Sequence, residues 1–401
     1  MLRECASPRL EVVPVHSRAE DRAFSDFPYR LYRGDPFWVP PLRREERRRW
    51  SARHNASLRS RWVRRFLALR QDRVVGRVAA IIDGAFAARW EPSTALFGFF
   101  ECADDPEAAR ALLDAAERAL GDQGMRRVIG PVSLTTHDET GILVDGFDSS
   151  PMVLSPYNPP YYVQLLEEAG YGPYLDYHSY LGSPNVDPQR VVKRLARSAT
   201  CGEGTARGIS VRPLNLRRWD SEVRILYELY NVSFANVWGV VPISWDEFLE
   251  RANRFRPILV PELVLFAEVS GEPVGLAMTL PDINEALSDL GGRLWPFGWL
   301  RLARRLPRIR SARFVVLGVL PEYTGRGVGT LLASETAAAF RRLGIRRVEL
   351  SLVQETNEPV RRVIEAFGSP ILKTFRLYAK TLSTPAGAED QKAEISSWRG
   401  W

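Results

Sequence analysis

Cysteine is scarce: the 401 residues hold three, Cys5, Cys102 and Cys201, an odd number set far apart. They can build neither a disulfide framework nor a metal-ligand spacing, which excludes a disulfide-stapled scaffold and fits a reducing compartment. Long hydrophobic runs are missing as well. No stretch reaches the ~20 apolar residues that span a bilayer, and the opening MLRECASPRLEVV lacks the apolar core of a signal peptide. A cytoplasmic location is expected. The 28 prolines and 29 glycines are dispersed, so they punctuate short elements instead of forming a low-complexity tract. Carboxylates are outnumbered: the net charge is +7, carried largely by arginine, and the pI is about 9.4. Such a balance favours a polyanionic ligand or partner. A length of 401 residues, 45% hydrophobic and 26% charged, suits a globular protein of two domains.

An internal repeat organises the chain. Leu10-Glu11-Val12-Val13-Pro14-Val15 aligns with Ile209-Ser210-Val211-Arg212-Pro213-Leu214, Val75-Gly76 with Val274-Gly275, and Tyr157-Asn158-Pro159-Pro160 with Thr356-Asn357-Glu358-Pro359, all at one offset of 199 residues. A shared offset at three separated places implies two copies of one domain. In the first copy, residues 66–70 and 74–82 read as a hairpin around Gln71-Asp72-Arg73, followed by a strand at 96–100, a helix at 107–120, a strand at 127–129, a helix at 161–169 and a strand at 175–181. The second copy repeats that order with strands at 263–269, 273–279 and 314–319, a helix at 330–343, a strand at 347–353, a helix at 360–366 and a strand at 375–380. The fold class is therefore mixed α/β (α+β), one mixed sheet per copy. Residues 184–208, rich in Pro and Gly and holding a short basic helix at 190–197, read as the linker between domains 1–183 and 209–382; residues 383–401 form a tail.

Residues 314–344, FVVLGVLPEYTGRGVGTLLASETAAAFRRLG, run from a β-rich segment through Pro321, Gly325, Gly327 and Gly329 into an alanine- and leucine-rich helix. A strand that feeds a glycine turn into a helix N-terminus leaves unpaired N–H groups beside the positive end of the helix dipole, an anion site. The spacing is neither the dinucleotide fingerprint nor the Walker loop. At the matching place the first copy has Phe100-Glu101-Cys102-Ala103-Asp104-Asp105-Pro106, whose three carboxylates and proline oppose a pyrophosphate. One cofactor site per chain is expected.

The stretch Val319-Leu320-Pro321-Glu322-Tyr323-Thr324-Gly325-Arg326-Gly327-Val328-Gly329 resembles the acyl-CoA pyrophosphate loop of the GNAT acetyltransferase superfamily. It departs from the pattern at Thr324, where that family has Arg or Gln. The resemblance covers residues from about 10 to 382 and implies two tandem GNAT-like domains, the first degenerate. It implies acetyl-CoA or another acyl-CoA as co-substrate, no metal, and an acyl group moved to a primary amine of a small molecule or peptide. By motif position, Leu317 and Val319 would line the pantetheine, Arg326, Gly327, Gly329 and Thr330 would hold the pyrophosphate, and Asn357 would open the helix beside it. A Tyr often serves as acid seven residues after that Asn; here the position is Ile364, which leaves Tyr378 on the last strand as the replacement.

Asp282 and Glu285, after the second hairpin, are candidates for general base, with Asn284 beside them as a substrate contact. Asn231 and Trp238 fall in the family's acceptor-specificity segment, and their alternative role is packing. His137, in Thr135-Thr136-His137-Asp138-Glu139, could act as a base across the cleft, though no second His stands at metal spacing. The Trp- and Arg-bearing residues 291–310 could grip an acyl chain, an acyl-carrier protein or a membrane surface, or could be a packed lid. The arginine-dense residues 43–73 match no nucleic-acid motif. Two further functions stay open at this point: a Fem-type aminoacyltransferase using charged tRNA, and a non-catalytic acyl-CoA- or carrier-binding protein.

Overall fold

The computed structural model describes residues 9–182, 208–366 and 368–382. Most of the linker, its helix at 190–197 and the tail lie outside the described residues. The first half contributes strands β1 (Leu10–Pro14), β2 (Trp62–Arg70), β3 (Arg73–Ile82), β4 (Thr94–Cys102), β5 (Arg127–Gly130), β6 (Ile142–Asp145) and β7 (Gly172–Gly182). Its helices are α1 (Arg18–Asp26), α2 (Pro28–Leu31), α3 (Arg43–Arg49), α4 (Gly84–Arg89), α5 (Pro106–Gly121) and α6 (Tyr162–Glu168). The second half has β8 (Ile209–Pro213), β9 (Val264–Val269), β10 (Glu272–Pro281), β11 (Ser311–Val319), β12 (Arg347–Gln354) and β13 (Ile371–Thr381). Its helices are α7 (Trp219–Ser233), α8 (Trp245–Phe255), α9 (Asn284–Leu287), α10 (Gly298–Arg305), α11 (Val328–Leu343) and α12 (Glu358–Ala366).

Local chemistry explains most of these bounds. Gln71 and Asp72 close the β2–β3 hairpin with φ of 50° and 60°, the left-handed pair that a two-residue turn demands. Asp105 caps α5 by accepting the Ala108 N–H at 3.1 Å, and Pro106 follows at the first helical position. The alanines and leucines of α5, among them Ala109, Leu112 and Leu113, are buried against β2 and β3. On the second half α11 lies on β10 at Gly275, where a Cβ would come within 3.0 Å of Val328 Cγ1.

The 199-residue offset holds in the element bounds: β1 maps on β8, β3 on β10 and β7 on β13. Two length differences cancel in between. The second half spans β10 to β11 with residues 282–310 where the first needs only 83–93, and the first spans β5 to α6 with a long segment bearing β6.

All strands except β6 follow one path, β1-β2-β3-β4-β5-β13-β7-β12-β11-β10-β9-β8, with β6 paired to β13. The last strand of each half is thus built into the other half's sheet. β13 pairs antiparallel with β5 of the first half, and β7 pairs antiparallel with β12 of the second. The exchanged strands meet antiparallel at the centre, where Asp176 faces Arg376 and Tyr177 faces Phe375, a local pseudo-two-fold. Arg376 clamps Asp176 there with Nε to Oδ1 at 2.7 Å and Nη2 to Oδ2 at 2.8 Å.

Candidate active site

β11 and β12 are hydrogen-bonded in parallel only from Ser311 with Arg347 to Phe314 with Leu350, after which they part. A bulge at Met278/Thr279, opposite Val315, bends β11 at that point. Leu317 and Val319 lie on the freed end of the strand and are half-exposed. The chain then turns through Gly325 and Gly327, at φ of 77° and 82°, and Gly327 becomes the uncapped N-cap of α11. These left-handed angles are what require glycine. The first helical bond runs from the Leu331 N–H to the Gly327 carbonyl at 2.9 Å, which leaves the N–H groups of Val328, Gly329 and Thr330 without an acceptor inside the helix. A Cβ at Gly325 or Gly327 would meet nothing within 4 Å, and one at Gly329 only Val319 Cγ2 at 3.7 Å. The glycines therefore face open space, as a pyrophosphate cradle needs. Arg326 is exposed over the Tyr323 ring. Asn357 caps α12 at the mouth of the opening, its Oδ1 3.4 Å from the Val360 N–H.

The acidic counterpart in the first half divides in two. Asp105 fills the α5 N-terminus itself and is ion-paired with Arg70 at 2.9 Å. Glu101, in contrast, belongs to β4 and faces the opposite way from that loop. It accepts from Tyr32 Oη at 2.6 Å and Tyr162 Oη at 2.8 Å, with Arg77 Nη2 at 3.7 Å. Burial pushes its carboxyl up to about 7, against the pull of Arg77 and the two hydroxyls.

Glu101 lies on the wall of a cavity of about 890 Å³ between the halves, at the large end of small-molecule sites. Phe99 and Phe100 come from β4, Phe255 and Ile258 from the end of α8 and the turn after it, and Leu302 and Leu306 from α10 and its following turn. These apolar side chains share the wall with charged ones of both signs. Arg53 and Arg254 stand among five arginines there, matched by five glutamates.

Residues 151–155 of the first half line this cavity and bond a buried polar cluster at the root of the β11–β12 opening. Asp282 Oδ1 accepts the N–H of Val153 at 2.9 Å and of Asn284 at 3.3 Å, and Asn284 Nδ2 donates to the Pro151 carbonyl at 2.8 Å. Burial pushes the Asp282 carboxyl up to about 6, opposed by those N–H groups. Arg313 donates to the Val153 carbonyl and to Ser351 Oγ, each at 2.7 Å, while Glu349 accepts from Ser351 at 2.9 Å and Ser155 at 3.3 Å. Glu285 stands apart, exposed, accepting the Arg310 N–H at 3.2 Å.

The remaining sequence-derived residues do not join this cluster. His137 is clamped between the Tyr230 hydroxyl and the Val241 carbonyl, each at 2.9 Å. The carbonyl requires an N–H from Nε2, so Nδ1 accepts from tyrosine and no lone pair is left for a proton. Burial holds the ring neutral, its pKa lowered to about 4. Asn231 bonds the Ile243 N–H and carbonyl, pinning the segment after α7, and Trp238 packs on Phe86 and Tyr174. Tyr378 must be corrected as an acid for the glycine-turn site. Strand exchange carries it into the first half's core, fully buried with Glu167 at 3.2 Å. The strand that replaces β13 in the second half brings Tyr180, which packs against Ile364 and Val353. The arginines of residues 43–73 are largely committed to ion pairs, such as Arg61 with Asp83 and Arg65 with Asp21.

Local patterns miss Arg77, Glu101, Arg313 and Glu349. Their one signal is a charged residue interrupting an otherwise apolar strand. Among the described residues no group of His, Cys, Asp and Glu could hold a metal ion, and no helix is long and apolar enough to cross a membrane.

Residues 224–368 match the acetyltransferase (GNAT) family. The chain is 34% identical over 380 residues to a bacterial ceramide synthase of Caulobacter vibrioides, covering 93% of this chain and 98% of that protein. It is 32% identical over 368 residues to the Escherichia coli protein YghO, covering 90% and 93%. Among solved structures, a tandem GNAT protein from the clavulanic acid biosynthesis pathway superposes with a TM-score of 0.54 at 16% identity, over 94% of this chain and 99% of that one. The strand–glycine turn–helix unit, its filled counterpart in the first half and these likenesses agree: the chain belongs to the GNAT acetyltransferase superfamily, as a tandem N-acyltransferase with a degenerate N-terminal copy.

Proposed function

We propose that the enzyme transfers a long-chain acyl group from acyl-CoA to the amine of a long-chain amino alcohol, forming an amide. The observation that carries the donor is the bare α11 N-terminus, with three N–H groups and two left-handed glycines facing open space beside the parted strands. The acceptor class rests on the size of the cavity, about 890 Å³, with Phe99, Phe100, Phe255, Leu302 and Leu306 on its wall, and on the ceramide synthase likeness, since a ceramide is the amide of a fatty acid with a long-chain amino alcohol. Acetyl-CoA with a small polar amine makes poorer use of such a cavity.

In the reaction the neutral amine attacks the thioester carbon, a C–N bond forms, the C–S bond breaks, and the ammonium proton passes to a base. Gly327, Gly329, Thr330 and Arg326 hold the pyrophosphate, and Leu317 and Val319 flank the pantetheine. Asp282 is the proton acceptor, ionised above a pH of about 6. Tyr180 supplies a hydroxyl where Ile364 supplies none. CoA thiolate leaves readily near neutral pH, so this acid assists without being obligatory. Residues 151–155, which bond both Asp282 and Glu349 while lining the cavity, are the wall that substrate must pass.

The test is a matrix of acetyl-CoA and palmitoyl-CoA against sphinganine and small polar amines, read as thiol release and amide mass. The expected product is the amide of two long chains. Turnover confined to acetyl-CoA and small amines would overturn the reading.

A further inference from the structure

The second half's extra segment between β10 and β11 has no counterpart of its length in the first, and it holds aromatic rings out in water. Trp295, Phe297 and Trp299 are 83%, 67% and 54% exposed. Exposed singly, such rings are ordinary; three within five residues form a patch that this chain's own core does not cover. Around them Arg293, Arg301, Arg304 and Arg308 are exposed, and among the described residues none is ion-paired. Among the described residues, Arg305 is the one arginine side chain of the segment in an ion pair, with Asp289 at 2.6 Å. Trp299, Leu302 and Leu306 follow at helical spacing along α10 and its following turn, so they share one stripe. Leu302 and Leu306 line the cavity. The apolar stripe therefore runs from the exposed Trp299 to the cavity wall.

We propose that residues 293–310 are a docking surface for an anionic lipid bilayer. The aromatic rings seat at the boundary of headgroups and acyl chains, and the arginines meet lipid phosphates. Aromatic rings interleaved with cationic residues are the composition that lies in such an interface, and the positive charge complements anionic headgroups. An acidic protein could match the arginines. The stripe decides for lipid, because a long chain leaving a bilayer can follow it from Trp299 into the cavity. In that last step the inference rests on the long-chain acceptor reading.

The test is flotation of the full chain with phosphatidylcholine vesicles, with and without phosphatidylglycerol, in the absence of substrate. The protein is expected to float with the anionic vesicles, and high salt should release it. The double variant Arg301→Glu with Arg304→Glu should bind roughly 30-fold more weakly, from about 1 kcal/mol per arginine lost, and Trp295→Ser with Trp299→Ser should abolish the blue shift of tryptophan emission. Acyl-CoA affinity of both variants, unchanged, controls for folding. The proposal falls if the wild type stays at the bottom of the gradient, or if the variants float as it does. It also falls if the patch instead holds two copies together or binds only an acidic carrier protein. Flotation without formation of a long-chain amide would overturn the proposed function and leave the docking surface standing; the reverse result would do the opposite.

Discussion

The N-termini of α5 and α11 stand at the same place in the two halves and are closed in opposite ways. α5 is capped by its own Asp105, which Arg70 neutralises. α11 begins at a left-handed glycine with no side-chain cap and points its first N–H groups at open space. The same contrast recurs one step back along the strands. Where β3 and β4 set Arg77 opposite Glu101, β10 and β11 set Leu276 opposite Gly318, and α7 closes on that glycine, so that a Cβ would meet Ser233 at 2.9 Å. A handful of positions in a shared frame thus decide which helix N-terminus is filled and which is left open.

The sharpest way to break this comparison is Gly329→Glu. It gives the second half an acidic first turn like that of the first, and acyl-CoA binding by calorimetry should disappear. The protein should meanwhile gain roughly 0.5–1 kcal/mol from a better helix former at a favourable end of the dipole. Retained affinity would sink the cofactor assignment.

Next in size, Asp282→Asn should lower kcat roughly 100-fold with acyl-CoA affinity unchanged, and wild-type activity should fall as pH falls through about 6, where Asp282 takes up its proton. The counterpart Asp83 is ion-paired with Arg61 at 2.7 Å and caps α4, so its loss should appear in stability instead.

Glu101 gives an effect of about 3 kcal/mol across its titration window. Its folded pKa of about 7 lies above the value of 4.5 for the unfolded chain, so the folded state binds the extra proton between those values. The contribution is fully present below about 4.5 and is lost as pH rises through 7. Urea titrations should therefore show Glu101→Gln flattening stability between pH 5 and pH 8. His137 acts in the other direction: its pKa of about 4 lies below 6.5, and its contribution is present above 6.5 and lost as pH falls through 4. Smallest is Asp105→Ala, a lost cap worth about 1 kcal/mol, with acyl-CoA affinity unaltered.

Much of the frame was legible because it is local. Alternating strands, the Asp105-Pro106 start and the glycine turn are written in neighbouring residues, and the repeat survives as a spacing. The order of strands is not local, and so Tyr378 was read at the wrong sheet. Glu101 was hidden for a related reason: beside Asp104 and Asp105 it looks like part of one acidic loop, yet it ends a strand whose alternation turns it toward Tyr32 and Tyr162. His137 looked like a base because a sequence cannot show that Tyr230 and the Val241 carbonyl occupy both its nitrogens.

The exchanged strands carry a consequence for how the two halves can change. A one-residue slip of β13 would exchange its two buried faces and pull Phe375 and Tyr378 out of the separate core clusters they fill, and a slip of β7 would do the same to Tyr177 and Tyr180. Removing either half would strip a strand from its partner and bare a row of unpaired amides along β5 or β12. The half whose helix start is filled by Asp105 is therefore no expendable passenger. It is free to drift in its loops and cavity, and held fast in the register of one strand.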